Sequence, residues 1–193
     1  MPTIAVVTDS TACLTEDLLA GNHIRVVPIH VIVEGRTYLD GVDISSDEVS
    51  AALTGHKSVT TSRPTTEQFF EAYTEAAASG ADAIVSVHLS SALSGTYDAA
   101  RLGARDAPVP VEVVDSRTIA MGLGFSALNA ARAANSAADL PEVCEAARST
   151  AADSQVLFYV DTLEFLRRGG RIGKASALLG SALRVKPILH MVD

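Results

Sequence analysis

Apolar residues fall along the chain in short, strand-sized runs that alternate with segments repeating at helical spacing. Ile4 to Val7 is the first run; Asp9-Ser10-Thr11 follows at once, with Leu14, Leu18 and Leu19 at helical spacing behind it, which predicts strand, cap and helix. Ile24 to Val33 is rich in β-branched residues and predicts a second strand, with a turn at Glu34-Gly35-Arg36 before Thr37-Tyr38-Leu39 returns. Ser45 and Glu48, spaced as a capping box, predict a helix to about Leu53. Thr65 and Gln68 predict another from about 66 to 78, ending ahead of Gly80. A strand over 83–88, a helix from about Leu93 to Ala104 and a strand over Val111–Val114, stopping at the pair Asp115-Ser116, complete the first part. Strands that alternate with helices through short loops indicate a parallel sheet covered on both faces.

From Thr118 to Asn135 runs an Ala-rich helix, and Leu140 to Thr150 is a second one with Pro141 at its start. Two consecutive helices mark a boundary, after which Val156 to Val160 opens a new apolar strand. The expected organisation is an N-terminal α/β domain over 1–151 and the start of a second α/β domain over 152–193, truncated where the strand-like segment Arg184–Asp193 ends.

Composition narrows the function. A chain of 193 residues with 48% hydrophobic content has ample material for a packed core. A net charge of −8, no Trp, and only four Tyr and five Phe provide neither the basic field nor the stacking platforms that nucleic acid requires. The longest apolar segments are strand-sized, so no transmembrane segment is expected, and Met1 to Asp9 meets a charge too soon for a signal peptide. A cytoplasmic location follows. Cys13 and Cys144 lie far apart and the five His are scattered, so no metal site and no disulfide are expected.

Candidate chemistry gathers at two helix starts. His88-Leu-Ser-Ser-Ala-Leu-Ser-Gly-Thr-Tyr97 places hydroxyls where an apolar strand feeds a helix; Ser91 or Ser94 could cap that helix, or its N-terminus could hold an anion. Thr60-Thr61-Ser62-Arg63-Pro64 precedes the Thr65 capping box, and Pro64 excludes a helix before it, which sets Thr61 and Ser62 just ahead of a second helix start. Two such starts could converge on one small anion, a carboxylate or a phosphate. Gly122-Leu-Gly124-Phe-Ser-Ala127 matches GxGxxA but begins seven residues after Asp115, so close helix packing explains it better than a dinucleotide turn. A serine-dependent hydrolase or acyltransferase built on Ser94 would need a His and an acid, and nothing local brings His88 to Ser94. Arg167, Arg168 and Arg171 form either a solvated helix end or a docking patch for an acidic partner or a phosphate. The apolar, small-residue segment 175–183 either packs as core or lines an apolar pocket.

These blocks together resemble the DegV family of bacterial fatty-acid-binding proteins. The match runs through Val7-Thr8-Asp9-Ser10-Thr11, Thr61-Ser62-Arg63-Pro64, Leu89 to Tyr97, Val114-Asp115-Ser116 with Gly122-Leu123-Gly124, Leu163 to Ile172, Leu178-Leu-Gly180 and Lys186-Pro-Ile-Leu189. The resemblance implies a two-domain α/β protein that holds a long-chain fatty acid between its domains, tail in an apolar tunnel and carboxylate on the hydroxyl corner. By that resemblance the protein is not itself an enzyme and has no cofactor beyond the bound lipid. It presents the carboxylate to a separate fatty acid kinase catalytic subunit, which forms an acyl phosphate for phospholipid synthesis, a role that leaves room for transient membrane contact. Thr61 and Ser94 match the family's carboxylate-binding positions, with Ser62 and Gly95 beside them as backbone donors. Two departures stand out. The family's usual Gln is Arg63 here, a cation near the head group or a solvent-facing side chain, and family members continue well beyond the Lys186–Leu189 block with a part that supplies a histidine near the carboxylate.

Overall fold

Two adjacent strands with every residue buried or nearly so form the centre of the main sheet: β1 (Ile4–Asp9) and β6 (Ala83–His88). In a parallel sheet covered on both faces, central strands bury both sets of alternating side chains, which is why these read as continuous apolar runs. β2 (Ile24–Val27) and β7 (Val111–Asp115) flank them in the parallel order β2-β1-β6-β7. The computed structural model describes residues 2–173, 175 and 187–191. The chain divides into a unit over Met1–Ser154 and another over Gln155–Asp193.

Alternation along the central strands sorts the core into two layers. Ile4 and Val6 of β1 with Ala83, Val85 and Val87 of β6 pack beneath Leu123, Ala127 and Ala130 of α5 (Met121–Asn135) and Val143, Cys144 and Ala147 of α6 (Leu140–Asp153). Val7 and Ile84 face the other way, against Phe69, Tyr73 and Ala76 of α3 (Thr66–Ala78) and Ala99 and Ala100 of α4 (Thr96–Ala104). Each fully buried Val or Ile in these layers contributes about 1.5–3 kcal/mol relative to an exposed one. The short α1 (Glu16–Asn22) lays Leu18 and Leu19 on the first layer.

The run from Ile24 to Val33 is not one strand. It breaks at Pro28-Ile29 into β2 and β3 (His30–Val33), and the two halves belong to different sheets. Pro28 lacks the N–H a ladder needs and holds φ near −65°. The following amide, Ile29 N–H, donates to Ser10 Oγ at 3.1 Å, so the chain leaves the parallel sheet tied to the turn after β1. β3 then pairs antiparallel with β4 (Arg36–Leu39), across a turn in which Glu34 and Gly35 both have positive φ, and with β5 (Val59–Ser62). β5 has no counterpart among the sequence expectations, because Thr60, Thr61 and Ser62 are all exposed and leave no apolar alternation to read. Between β4 and β5, α2 (Ser46–Thr54) opens with the Ser45/Glu48 capping box formed in both directions, and the Thr65/Gln68 box opens α3 likewise.

The GxGxxA segment lies within the first turns of α5, and its function there is steric. A Cβ on Gly124 would stand 2.6 Å from the carbonyl oxygen of Ala12 and 3.1 Å from Leu14, so only glycine lets α5 rest on the 3-10 turn over Ser10–Ala12. Because the obstructing atom is backbone, Gly124→Ala is expected to destabilise by about 1–3 kcal/mol despite alanine's better helix propensity. Chemical denaturation checks this; a gain in stability would mean that α5 can slide without loss.

In the second unit, β8 (Leu157–Tyr159) pairs antiparallel with β9 (Ile188–His190), and α7 (Glu164–Arg168) is a single short helix. Most of the apolar 175–183 segment, together with Lys174 and Lys186, lies outside the described residues. Among the described residues no helix is long and apolar enough to cross a membrane.

Candidate functional site

The carboxyl ends of β1, β6 and β7 open into loops rich in Asp, Ser and Thr, and these loops hold one another through directed hydrogen bonds. At the end of β1, Asp9 is completely buried. One carboxylate oxygen accepts from Thr11 N–H and the Thr11 hydroxyl, capping the 3-10 turn; the other accepts from the Leu89 amide at 3.1 Å and faces His88 Nδ1 at 3.0 Å. The pair Asp9-Ser10 is therefore a local cap and also a strut across the sheet.

His88 continues that network inward. Its Nε2 lies 2.7 Å from Ser86 Oγ, which accepts from the Tyr73 hydroxyl at 2.9 Å. With the imidazole proton on Nδ1, Tyr73 donates to Ser86, Ser86 to His88 and His88 to Asp9, and every donor has an acceptor. Burial pushes the Tyr73 hydroxyl pKa upward, only partly offset by its bond to Ser86. The order Asp9–His88–Ser86 is that of a hydrolytic triad, but Ser86 sits mid-strand with no exposed surface, so no substrate can reach it. Both His88 nitrogens are engaged there, which leaves Ser94 without a histidine partner among the described residues.

The loop after β6 is fastened from every side. Asp115 Oδ1 accepts from the Ser91 amide at 3.2 Å and the Arg117 amide at 2.9 Å; Ser90 N–H donates to Thr118 O at 2.9 Å. Within the loop, Ser90 O accepts from the amides of Leu93 and Ser94, and Ser90 Oγ accepts from Ala92 N–H. Arg117 and Ala120, in the facing loop, both hold positive φ, and α5 starts only after them, at Met121 rather than Thr118.

Neither Ser91 nor Ser94 caps the helix that follows. Gly95 is the N-cap of α4, without a side-chain capping bond, and the partly buried Ser94 turns its Oγ to Thr96 Oγ1 at 2.9 Å. The N–H of Gly95 donates to no described residue. Thr61 and Ser62 lie at the exposed end of β5, in register with Val31 and His30. Across the gap, Arg63 Nη1 donates to Gly95 O at 3.2 Å, so the segment carrying Thr61 and Ser62 is joined directly to the start of α4.

Sequence reasoning does not single out His30. Its Nδ1 donates to Arg63 O at 3.2 Å and lies 3.4 Å from Ser62 Oγ, which fixes the turn into α3. A histidine inside a β-branched run gives no local signal of this; only the β3–β5 register does. In the second unit, Arg167, Arg168 and Arg171 are exposed at and beyond the end of α7; Arg168 is paired with Glu164 at 2.5 Å, and Arg171 Nη1 donates to Gly169 O. Among the described residues no cluster of His, Cys, Asp or Glu could hold a metal, and both cysteines are free thiols.

In open parallel α/β sheets ligands bind outside the carboxyl ends of the strands, and here that edge carries a hydroxyl-rich corner. Residues 3–193 match the family described as "Uncharacterised protein, DegV family". This chain belongs to the DegV family. A DegV domain-containing protein of Streptomyces coelicolor is 52% identical over 188 residues, 97% of this chain and 67% of its own length. The structure described as the fatty acid binding of a DegV family protein from Thermus thermophilus superposes with a TM-score of 0.90 at 38% identity, over 100% of this chain and 68% of that one. DegV from Bacillus subtilis, described as a fatty acid binding protein, gives 0.88 at 32% identity over 100% and 69%. The chain thus spans about two thirds of the length of these relatives.

Proposed function

We propose that this protein binds a long-chain fatty acid, holds its carboxylate at the corner formed by Thr61, Ser62, Ser94 and Gly95, and presents it to a separate kinase subunit for conversion to an acyl phosphate. The observation that carries the reading is the Arg63–Gly95 hydrogen bond, which makes the two hydroxyl-rich helix starts parts of one corner. The fatty-acid-binding descriptions of the Thermus and Bacillus relatives support the ligand class. In this reading the protein supplies no catalytic residue, works in the cytoplasm where a kinase finds its phosphoryl donor, and uses Arg167, Arg168 and Arg171 to dock its partner. Arg168 is already paired with Glu164, so docking through it would compete with that pair.

Burying about fourteen methylenes at ~0.8 kcal/mol each gives roughly 11 kcal/mol before association costs. A charge-assisted hydrogen bond adds only about 1.5–3 kcal/mol, much of it offset by desolvating the carboxylate. The tail therefore supplies affinity, and the corner sets orientation.

Mass spectrometry of an organic extract of the purified protein is expected to find a long-chain fatty acid, and added fatty acid is expected to raise the melting temperature where adenine nucleotides do not. Ser94→Ala is expected to weaken lipid binding by roughly ten- to a hundredfold without unfolding the protein. Unchanged lipid affinity in that variant would remove Ser94 from the site. Stabilisation by small phosphorylated compounds with no response to lipid would transfer the corner to a phosphate ligand, and labelling of Ser94 by an active-site serine probe would favour a hydrolase.

A further inference from the structure

Arg63 is exposed and pairs with no described carboxylate, although the chain carries a net charge of −8. Its guanidinium has five N–H donors in a fixed fork, and the structure uses one of them, on Gly95 O. The backbone beneath it is set firmly. Pro64, which is buried, confines Arg63 to extended conformations, and His30 holds the Arg63 carbonyl.

The fit against α4 is equally specific. A Cβ on residue 95 would stand 2.9 Å from Arg63 Nη1 and 3.2 Å from its Cδ, so glycine at 95 leaves the room in which the guanidinium lies. The exposed guanidinium thus lies against Gly95, the residue that follows Ser94 and whose N–H donates to no described residue. Such a cluster of donors around a fixed positive charge is matched by an ion with at least two acceptor oxygens.

Resting on the fatty-acid reading above, we propose that Arg63 is the charge-selecting residue of the corner: it makes the site prefer an ionised carboxylate over a neutral head group on the same alkyl chain. A residue that only stapled β5 to α4 would affect both ligands alike. One that reads charge affects the anion alone.

The test compares palmitate with 1-hexadecanol, by competition against a fluorescent fatty acid, in the unaltered protein, Arg63→Gln and Arg63→Lys, with melting temperatures as a check on folding. Arg63→Gln is expected to weaken palmitate by about tenfold and to leave hexadecanol within about twofold, while Arg63→Lys keeps most of the palmitate affinity. An unchanged palmitate-to-hexadecanol ratio in Arg63→Gln, or equal loss for Lys and Gln, overturns the charge-selecting role and leaves lipid binding standing. Failure of the unaltered protein to bind either ligand would sink the fatty-acid reading and this inference with it.

Discussion

Asp9→Ala is expected to cost about 3–5 kcal/mol of folding stability, a large share of what a domain of this kind possesses. Four hydrogen bonds end on this fully buried carboxylate. Its removal leaves the Leu89 amide and a ring nitrogen of His88 without a partner in a place water does not reach, and each such orphan costs about 1–3 kcal/mol. The damage extends to function, because Leu89 begins the loop that carries Ser94 and Gly95. Urea denaturation of the variant beside the unaltered protein measures the loss. A change below about 1 kcal/mol would mean that solvent or a neighbouring group replaces the carboxylate, and the strut across the sheet would have to be abandoned.

Phe69→Ala should rank next, at about 3–5 kcal/mol. The ring is fully buried, meets the His88 ring edge-on with centroids 4.9 Å apart and lies 6.1 Å from Tyr73. Little can collapse into the space it would leave, since α4 already approaches as closely as Gly103 permits: a Cβ there would stand 2.9 Å from Phe69 Cβ. Phe69→Leu, which retains most of the volume, is expected to lose only about 1–2 kcal/mol. Equal losses for the two variants would point to the ring's contact with His88 rather than to the cavity as the source of the effect.

Elements written into local pattern are legible in the sequence itself. Both capping boxes form as Ser45/Glu48 and Thr65/Gln68 spacing dictates, and β1 and β6 pair as the buried apolar runs require. Elements whose definition depends on a distant partner are not. Ile24 to Val33 looks continuous in hydropathy, yet Pro28 divides it between two sheets, and β5 exists because β3 offers it an edge, not because Val59-Thr-Thr-Ser has strand-like alternation. At the corner, the hydroxyl-rich stretches are visible as composition. The positions of Arg63 against Gly95 and of His30 against Arg63 depend on separations of 32 and 33 residues, which no local window contains. Asp9 reads as a cap, and it is one; its second role needs His88, 79 residues on.

The strand order also sets a timetable for synthesis. β1 lies between β2 and β6, so one edge is covered once Val27 has been made, whereas the other waits for the segment ending at His88. At a translation rate of about 5–20 residues per second, the interval from Val27 to His88 is roughly 3–12 seconds, during which a nascent apolar strand carries an open edge and an unpaired acid at its tip. A ribosome pausing before residue 88 would lengthen that exposure, and codon changes in this stretch should alter the yield of folded protein more than equal changes after residue 115.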